Sequence, residues 1–281
     1  MDGYITLASD ANLDLFPENR IGSFRTKLPH PIVTDRTKYK VGLHSITFPN
    51  KLPNITDGTF MMRADRGHWM WANGYLDAGT GLPLDDTPIH IDSPCEAPAG
   101  FYKSPQDLVD CMNAQILEGP EDVHGVRFAY DTHTEKVSIV IEPDALYDYE
   151  IFFCPELFIK LGFGLSESEL VNIRIEQSVT MIYTAPHTTD LEVGHASVFI
   201  YCDAVEKNRL VGNQITDLLS VVPLVGAHNT NCYHAPPNVE YRSLRYDVLE
   251  EISIQLRGDS GRILPFLSGK AILTLHIKEK I

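Results

Sequence analysis

The sequence predicts a mainly β protein, a sandwich or barrel carrying a small α/β insertion in its middle third. Three observations lead there. Apolar residues recur with period 2 in many short runs. Prolines (18) and glycines (19) punctuate those runs throughout, the spacing expected of short antiparallel strands. Only two segments have helical periodicity.

Taken in chain order, Tyr39, Val41 and Leu43 share one parity, and Ile46 and Phe48 take the other after a shift at His44-Ser45. Val126, Phe128 and Tyr130 alternate, as do Val137, Ile139 and Ile141, with polar residues 131–136 between them. Tyr147, Tyr149, Ile151 and Phe153 follow, then Arg174 to Tyr183 and His195 to Cys202. The closing runs have the clearest faces. Ile252, Ile254 and Leu256 oppose Ser253, Gln255 and Arg257, and Ala271, Leu273, Leu275 and Ile277 oppose Thr274, His276 and Lys278. Half-buried antiparallel strands alternate in this way. The 12 residues from Gly258 to Gly269 are too many for a two-residue hairpin. They suit a crossover between two sheets.

The first helix is signalled by Ser104 as N-cap, Pro105 at the first helical position and Asp107 at the third. Val109, Met112 and Ile116 then share a face, and Gly119-Pro120 stops the helix. The second is a short turn over Pro155 to Leu161, closed by Gly162. These features predict an N-terminal arm over residues 1–20 and first framework strands with a long surface loop over 21–94. An α/β insertion would span 95–170, and the remaining framework strands 171–281. The segment 72–100, rich in Gly, Pro and Asp, reads as a surface excursion.

Charge narrows the partners. With 38 acidic and 23 basic residues the chain has a formal charge of −15. Lys and Arg are nowhere clustered, so neither nucleic acid nor an anionic membrane is an expected partner. No stretch is apolar for the 18 residues or so that a spanning helix requires. The N-terminus lacks a basic region followed by an apolar one, so no signal peptide is expected. Five cysteines without a C-x-x-C pair are expected as reduced thiols.

Each chemical motif has a simpler structural reading. Asp259-Ser260-Gly261 could be the catalytic triplet of an aspartic hydrolase, but two such carboxylates must share a proton. There is one copy, and only 20 residues follow it. Gly, Asp and Ser are also turn formers. His228, Cys232 and His234 carry zinc-type ligands, at a spacing matching no common finger. Cys111 and Cys154 sit in apolar settings and read as core thiols. Leu161 to Ser166 reads as a helix end feeding a loop, not as a phosphate-binding glycine loop. Trp69 and Trp71 alternate on one strand face and could stack on a sugar; they are the candidate surface-binding residues. No catalytic residue, cofactor or metal is expected.

Several segments taken together resemble a known family. They are Leu13-Asp-Leu-Phe-Pro-Glu-Asn19 followed by Phe24-Arg-Thr-Lys-Leu-Pro29, then Tyr39-Lys-Val-Gly-Leu-His-Ser-Ile-Thr-Phe-Pro49 and Gly100-Phe-Tyr-Lys-Ser-Pro105. Leu157-Phe-Ile-Lys-Leu-Gly-Phe163 and Val198-Phe-Ile-Tyr-Cys-Asp203 follow, with Val211-Gly212, Leu218-Leu219 and the run from Ile252 to His276. In order and spacing the set resembles the penton-like minor capsid proteins of Polinton/Maverick elements and adintoviruses. Residues 61–99 match no part of that pattern.

The resemblance implies a single jelly-roll β-sandwich that assembles as a homopentamer at the vertices of an icosahedral virion. Its other implied partners are a double jelly-roll major capsid protein and a host receptor. It carries over no catalytic residues. Two alternatives remain: a glycan- or receptor-binding β-sandwich using Trp69, Trp71 and the 72–100 segment, and a hydrolase using Asp259.

Overall fold

The computed structural model describes residues 2–65, 90–141, 148–165, 172–175, 182–192 and 196–280. In chain order the first elements are β1 (Gly3–Ala8), β2 (Ser23–Val33), β3 (Tyr39–Asn50), β4 (Thr59–Asp65) and β5 (His90–Glu96). Next come α1 (Pro105–Glu118), β6 (Val126–Asp131), β7 (Lys136–Ile141), β8 (Asp148–Phe153), α2 (Pro155–Lys160), β9 (Asn172–Ile175) and β10 (Ile182–Thr184). The chain ends with β11 (Ser197–Cys202), β12 (Arg209–Val211), β13 (Gln214–Thr216), β14 (Leu218–Pro223), β15 (Thr230–His234), β16 (Tyr241–Ser243), β17 (Val248–Arg257) and β18 (Ile272–Glu279). Two units form: Met1–Pro53 with Gly194–Ile281, and Asn54–Val193.

Among the described residues the first unit contains two large antiparallel sheets and a separate two-stranded ribbon, β12-β13. One has the order β1-β18-β3-β15, with β16 also paired to β3; the other has the order β14-β11-β17-β2. Along the chain β1, β2, β3 and β11 alternate between the sheets. β11 and β14 then stay together in one sheet, and β15, β17 and β18 alternate again. That succession is the jelly roll, two interlocked Greek keys. The connection from β17 to β18 does cross from one sheet to the other, as its length predicts.

Alternation supplies the core. Ile252, Ile254 and Leu256 from one sheet, and Leu273, Leu275 and Ile277 from the other, are fully buried in one cluster with Leu7, Val41, Leu43, Phe48, Val198 and Ile200. Each such side chain contributes roughly 1.5–3 kcal/mol by leaving water. The parity shift at His44-Ser45 is a β-bulge: Thr274 pairs with Ser45 and Leu275 with Leu43, leaving His44 without a partner across the ladder. Pro29 and Pro31 fall where β2 loses register with β17, between Leu249 and Glu251. β2 is an edge strand, the place in a sheet that tolerates proline.

The second unit has its own core. A sheet of order β5-β4-β8-β9 and a sheet of order β10-β7-β6 bury Phe60, Met62, Phe128, Ile139, Ile151 and Phe153 with Met112 and Ile116 of α1. Helix α1 begins as predicted. The Ser104 side chain accepts from the Asp107 amide, and the Asp107 carboxylate accepts from the Ser104 amide. Helix α2 ends at Gly162, whose φ of +84° favours glycine. A Cβ there would also stand 2.4 Å from the His187 carbonyl oxygen.

Two expected boundaries differ from the structure. Residues 1–20 are not simply an arm, because β1 pairs along its whole length with β18, from Gly3 opposite Ile277 to Ala8 opposite Ile272. The insertion spans 54–193 instead of 95–170. β4 and β5, expected among framework strands, pair with each other, and β4 pairs with β8. β9 pairs with β8, and β10 with β7. The reason is that alternation encodes which face is buried, not which sheet a strand joins.

Candidate assembly surfaces

The residues singled out by chemistry scatter through the structure. Trp69, Trp71 and residues 72–89 of the 72–100 segment lie outside the described residues. Asp259 sits in a tight turn where Gly258 donates to the Arg262 carbonyl and Gly261 to the Gly258 carbonyl, with Gly261 at a φ of +76°. Its carboxylate accepts from the Ala196 amide at 2.9 Å, tying the β17–β18 crossover to the start of β11. This is turn chemistry.

Cys232 is buried and donates its thiol to the Val225 carbonyl at 3.1 Å. His234, two residues on, shares its face of β15 and lines a cleft. Among the described residues no three His, Cys, Asp or Glu side chains come together as a metal site. All five cysteines are free thiols. Burial pushes the Cys202 thiol up to about 12 and also raises Cys95, Cys154 and Cys232.

What the jelly roll does present is two contrasting flanks. At one, the edge strands β14 and β15 border an open cleft of about 220 Å³ with Leu43 at its floor and Arg209, Ser220, Val221, His234 and Glu240 around it. Arg209 lies 3.5 Å from the Glu240 carboxylate, and Arg242 lies 2.5 Å from the same oxygen. Two guanidiniums thus share one carboxylate. The Nε of Arg242 is buried without a hydrogen-bond acceptor among the described residues. Burial, with Arg209 close by, pulls the Arg242 guanidinium below the ordinary arginine value, while Glu240 opposes that shift.

Arg209 opens the β12–β13 hairpin, which pairs with no other described strand. Leu210 faces Ile215 across the ladder, and the two are 72% and 66% exposed. The turn is Gly212-Asn213, with Gly212 at a φ of +59°, suited to a two-residue hairpin. Val221, which lines the same cleft as Arg209, is exposed as well.

The other flank is built by the β1–β2 connection. Two turns at Asn12 receive the Leu15 and Phe16 amides. Asn19, itself buried, fastens the loop: its side chain donates to the carbonyls of Ala11 (3.1 Å) and Arg25 (2.9 Å) and accepts from the Arg25 amide (2.9 Å). Phe16 lies under the Arg25 guanidinium. Leu13 and Leu15 are left about half exposed, alternating with exposed Asp14 and followed by exposed Glu18.

The sequence marks these flanks only through the segments of the family resemblance, Leu13 to Asn19 and Val211-Gly212, and the expected 1–20 arm; nothing local marks the meeting of Arg209 with Glu240 and Arg242.

On the outer face of the first sheet a polar row crosses four strands. Tyr4 stacks on His276 at 4.5 Å between ring centres, and the Tyr241 hydroxyl meets His276 Nδ1 at 2.7 Å across Gly42. The other imidazole nitrogen meets the Asp2 carboxylate at 2.5 Å. The row secures the start of β1 to the sheet.

No protein-family model matches this sequence, and no curated protein matches it. Among solved structures, the flagellar cap protein FliD (domains D1-D2-D3) of Escherichia coli aligns with 99% of this chain and 56% of its own, at 12% identity and a TM-score of 0.13. The mavirus penton protein is similar over 100% of both chains, at 11% identity and a TM-score of 0.47, a likeness in the course of the chain that transfers no function by itself.

Proposed function

We propose that this chain is a structural protein of a viral capsid, occupying the icosahedral vertices as a homopentamer and docking there against a double jelly-roll major capsid protein. The observation that supports this most is the strand order of the first unit, β1-β18-β3-β15 against β2-β17-β11-β14. Jelly rolls of this kind build viral shells, but also lectins and cupins, and a fold alone does not fix a function. The shell reading is favoured by the sequence segments that resemble penton-like proteins, which run in order through nearly the whole chain.

The mechanism is geometric. A ring of identical copies requires heterologous contact, in which one surface of each copy meets a different surface of the next. A single jelly roll with two unlike flanks suits such a contact. The insertion 54–193 interrupts the sandwich only between β3 and β11. Its boundaries therefore leave the ladder of framework strands intact.

Mass photometry and native mass spectrometry of the purified chain test the reading. A species about five times the 31.5 kDa chain mass is expected. A trimer would redirect the assignment to another capsomer, and a folded monomer at high concentration would overturn self-assembly.

A further inference from the structure

The two flanks of the jelly roll differ in charge as well as position. Sheet order places β1 and β2 at one end of each sheet, and β14 and β15 at the other. The cleft joins β14 to β15, since Ser220 and Val221 face His234 across it. The loop of residues 9–22 joins β1 to β2 at the opposite flank.

On the cleft flank, Arg209 lines the cleft beside the exposed pair Leu210 and Ile215, and the mostly buried Arg242 takes the second contact to Glu240, leaving that carboxylate shared between two guanidiniums. On the loop flank, Asp10, Asp14 and Glu18 accompany exposed Leu13 and Leu15. Lys270 lies 3.7 Å from Asp10, and the Arg20 guanidinium donates to the carbonyls of Pro17 and Asn19. Asp14 and Glu18 form no ion pair among the described residues. In a chain of charge −15, a guanidinium pair with one carboxylate between them is the unusual surface.

We infer that these flanks meet head to tail: the 9–19 loop of one copy seats its acidic side chains at the Arg209 side of the next copy's cleft, with Leu13 and Leu15 against the β12–β13 hairpin. This rests on the self-assembling ring proposed above and names the surfaces that close it. Both surfaces are built in advance. Asn19 holds the loop with three hydrogen bonds to Ala11 and Arg25, and the hairpin is fixed by its own ladder. Little ordering is therefore required at contact. Because the contact pairs unlike surfaces, each copy offers one of each, which propagates around a ring and leaves none unfilled at closure.

Charge reversal tests the pairing, with sedimentation over a concentration series as the readout. Arg209→Glu alone, and Asp14→Lys with Glu18→Lys alone, each place like charges together and are expected to raise the half-assembly concentration by at least about tenfold. Combining all three changes in one chain is expected to bring it back to within about threefold of wild type, the signature of direct coupling. Unchanged thermal melts of each variant establish that folding is preserved.

Wild-type assembly by Arg209→Glu would overturn this assignment of surfaces while leaving the ring in place. So would a combined variant no better than its parents. A folded wild-type chain that never assembles would overturn the ring itself.

Discussion

Replacing Lys160 by Met tests whether a buried ammonium holds the ends of the inserted unit. The residue is 4% exposed, at the close of α2. Its Nζ donates to the carbonyl of Asn54, the first residue of the unit, and to that of Leu191, near its last, at 3.0 Å for the latter. Glu156 stands 3.6 Å away. The Lys160 carbonyl in turn accepts from the Asp190 amide at 2.9 Å.

Met fills nearly the same volume, so packing changes little and the loss is polar. Two carbonyls lose a charged donor, at about 1–3 kcal/mol for each acceptor left unsatisfied. Glu156 is not orphaned, because it still accepts from the Thr56 and Asp57 amides. Relief of the desolvated ammonium offsets part of the loss. The net expectation is a destabilisation of about 2–3 kcal/mol, or about 30- to 150-fold in the opening equilibrium. Native-state hydrogen exchange of the intact chain, read at the amides of Ile55, Gly100 and Asp190, is the assay. Exchange unchanged to within about 0.5 kcal/mol, or slowed, would refute the clamp.

The same variant isolates a pH effect. Burial lowers the Lys160 pKa from its ordinary 10.5, with Glu156 opposing. The unfolded chain therefore holds that proton more tightly than the folded one. Stability contributed by this titration rises with pH between the lowered folded value and 10.5. Wild type should gain on Lys160→Met across that window, and a difference that is flat or falls there would contradict the sign.

Four further outcomes follow from local chemistry. Ser104→Ala removes the capping box of α1 and should cost about 1 kcal/mol in urea unfolding, whereas Ser104→Asp should recover most of it. Asn19→Leu leaves the Arg25 amide and two carbonyls without partners and should destabilise by about 2 kcal/mol or more; an exchange map unchanged over residues 9–25 would count against the loop's rigidity. Cys202, fully buried with its thiol raised to about 12, should resist alkylation at pH 8 in the native protein, while the partly exposed Cys111 reacts first. Asp259→Asn keeps an acceptor for the Ala196 amide and should shift stability by less than about 0.5 kcal/mol. Loss of a peptidase activity in that variant would revive the hydrolase reading.

Much of the secondary structure was legible because its signals are local. Period 2 marks the buried face of a strand, so Ile252, Ile254 and Leu256 could be assigned inward without a partner in view. The shift at His44-Ser45 was visible as a break in parity and proved to be a bulge. Ser104, Pro105 and Asp107 specify a helix start within four residues.

Pairing is a different kind of information. Phe60, Met62 and Ala64 alternate as cleanly as any jelly-roll strand, yet β4 belongs to the insertion, because a hydrogen-bond ladder is chosen between distant segments and alternation is silent about the choice. The same holds at the N-terminus: only β18, more than 260 positions away, makes β1 a strand of the sheet.

By itself the sequence determined which residues face inward, where α1 begins and where the β17–β18 crossover must pass from sheet to sheet. Only the tertiary structure decided the strand order, the extent of the insertion, the burial of Lys160 and the gathering of Arg209, Arg242 and Glu240 at one flank. Glu240 and Arg242 are local neighbours on one segment, whereas Arg209 belongs to another, and only the tertiary fold brings it within ion-pair distance of the same carboxylate.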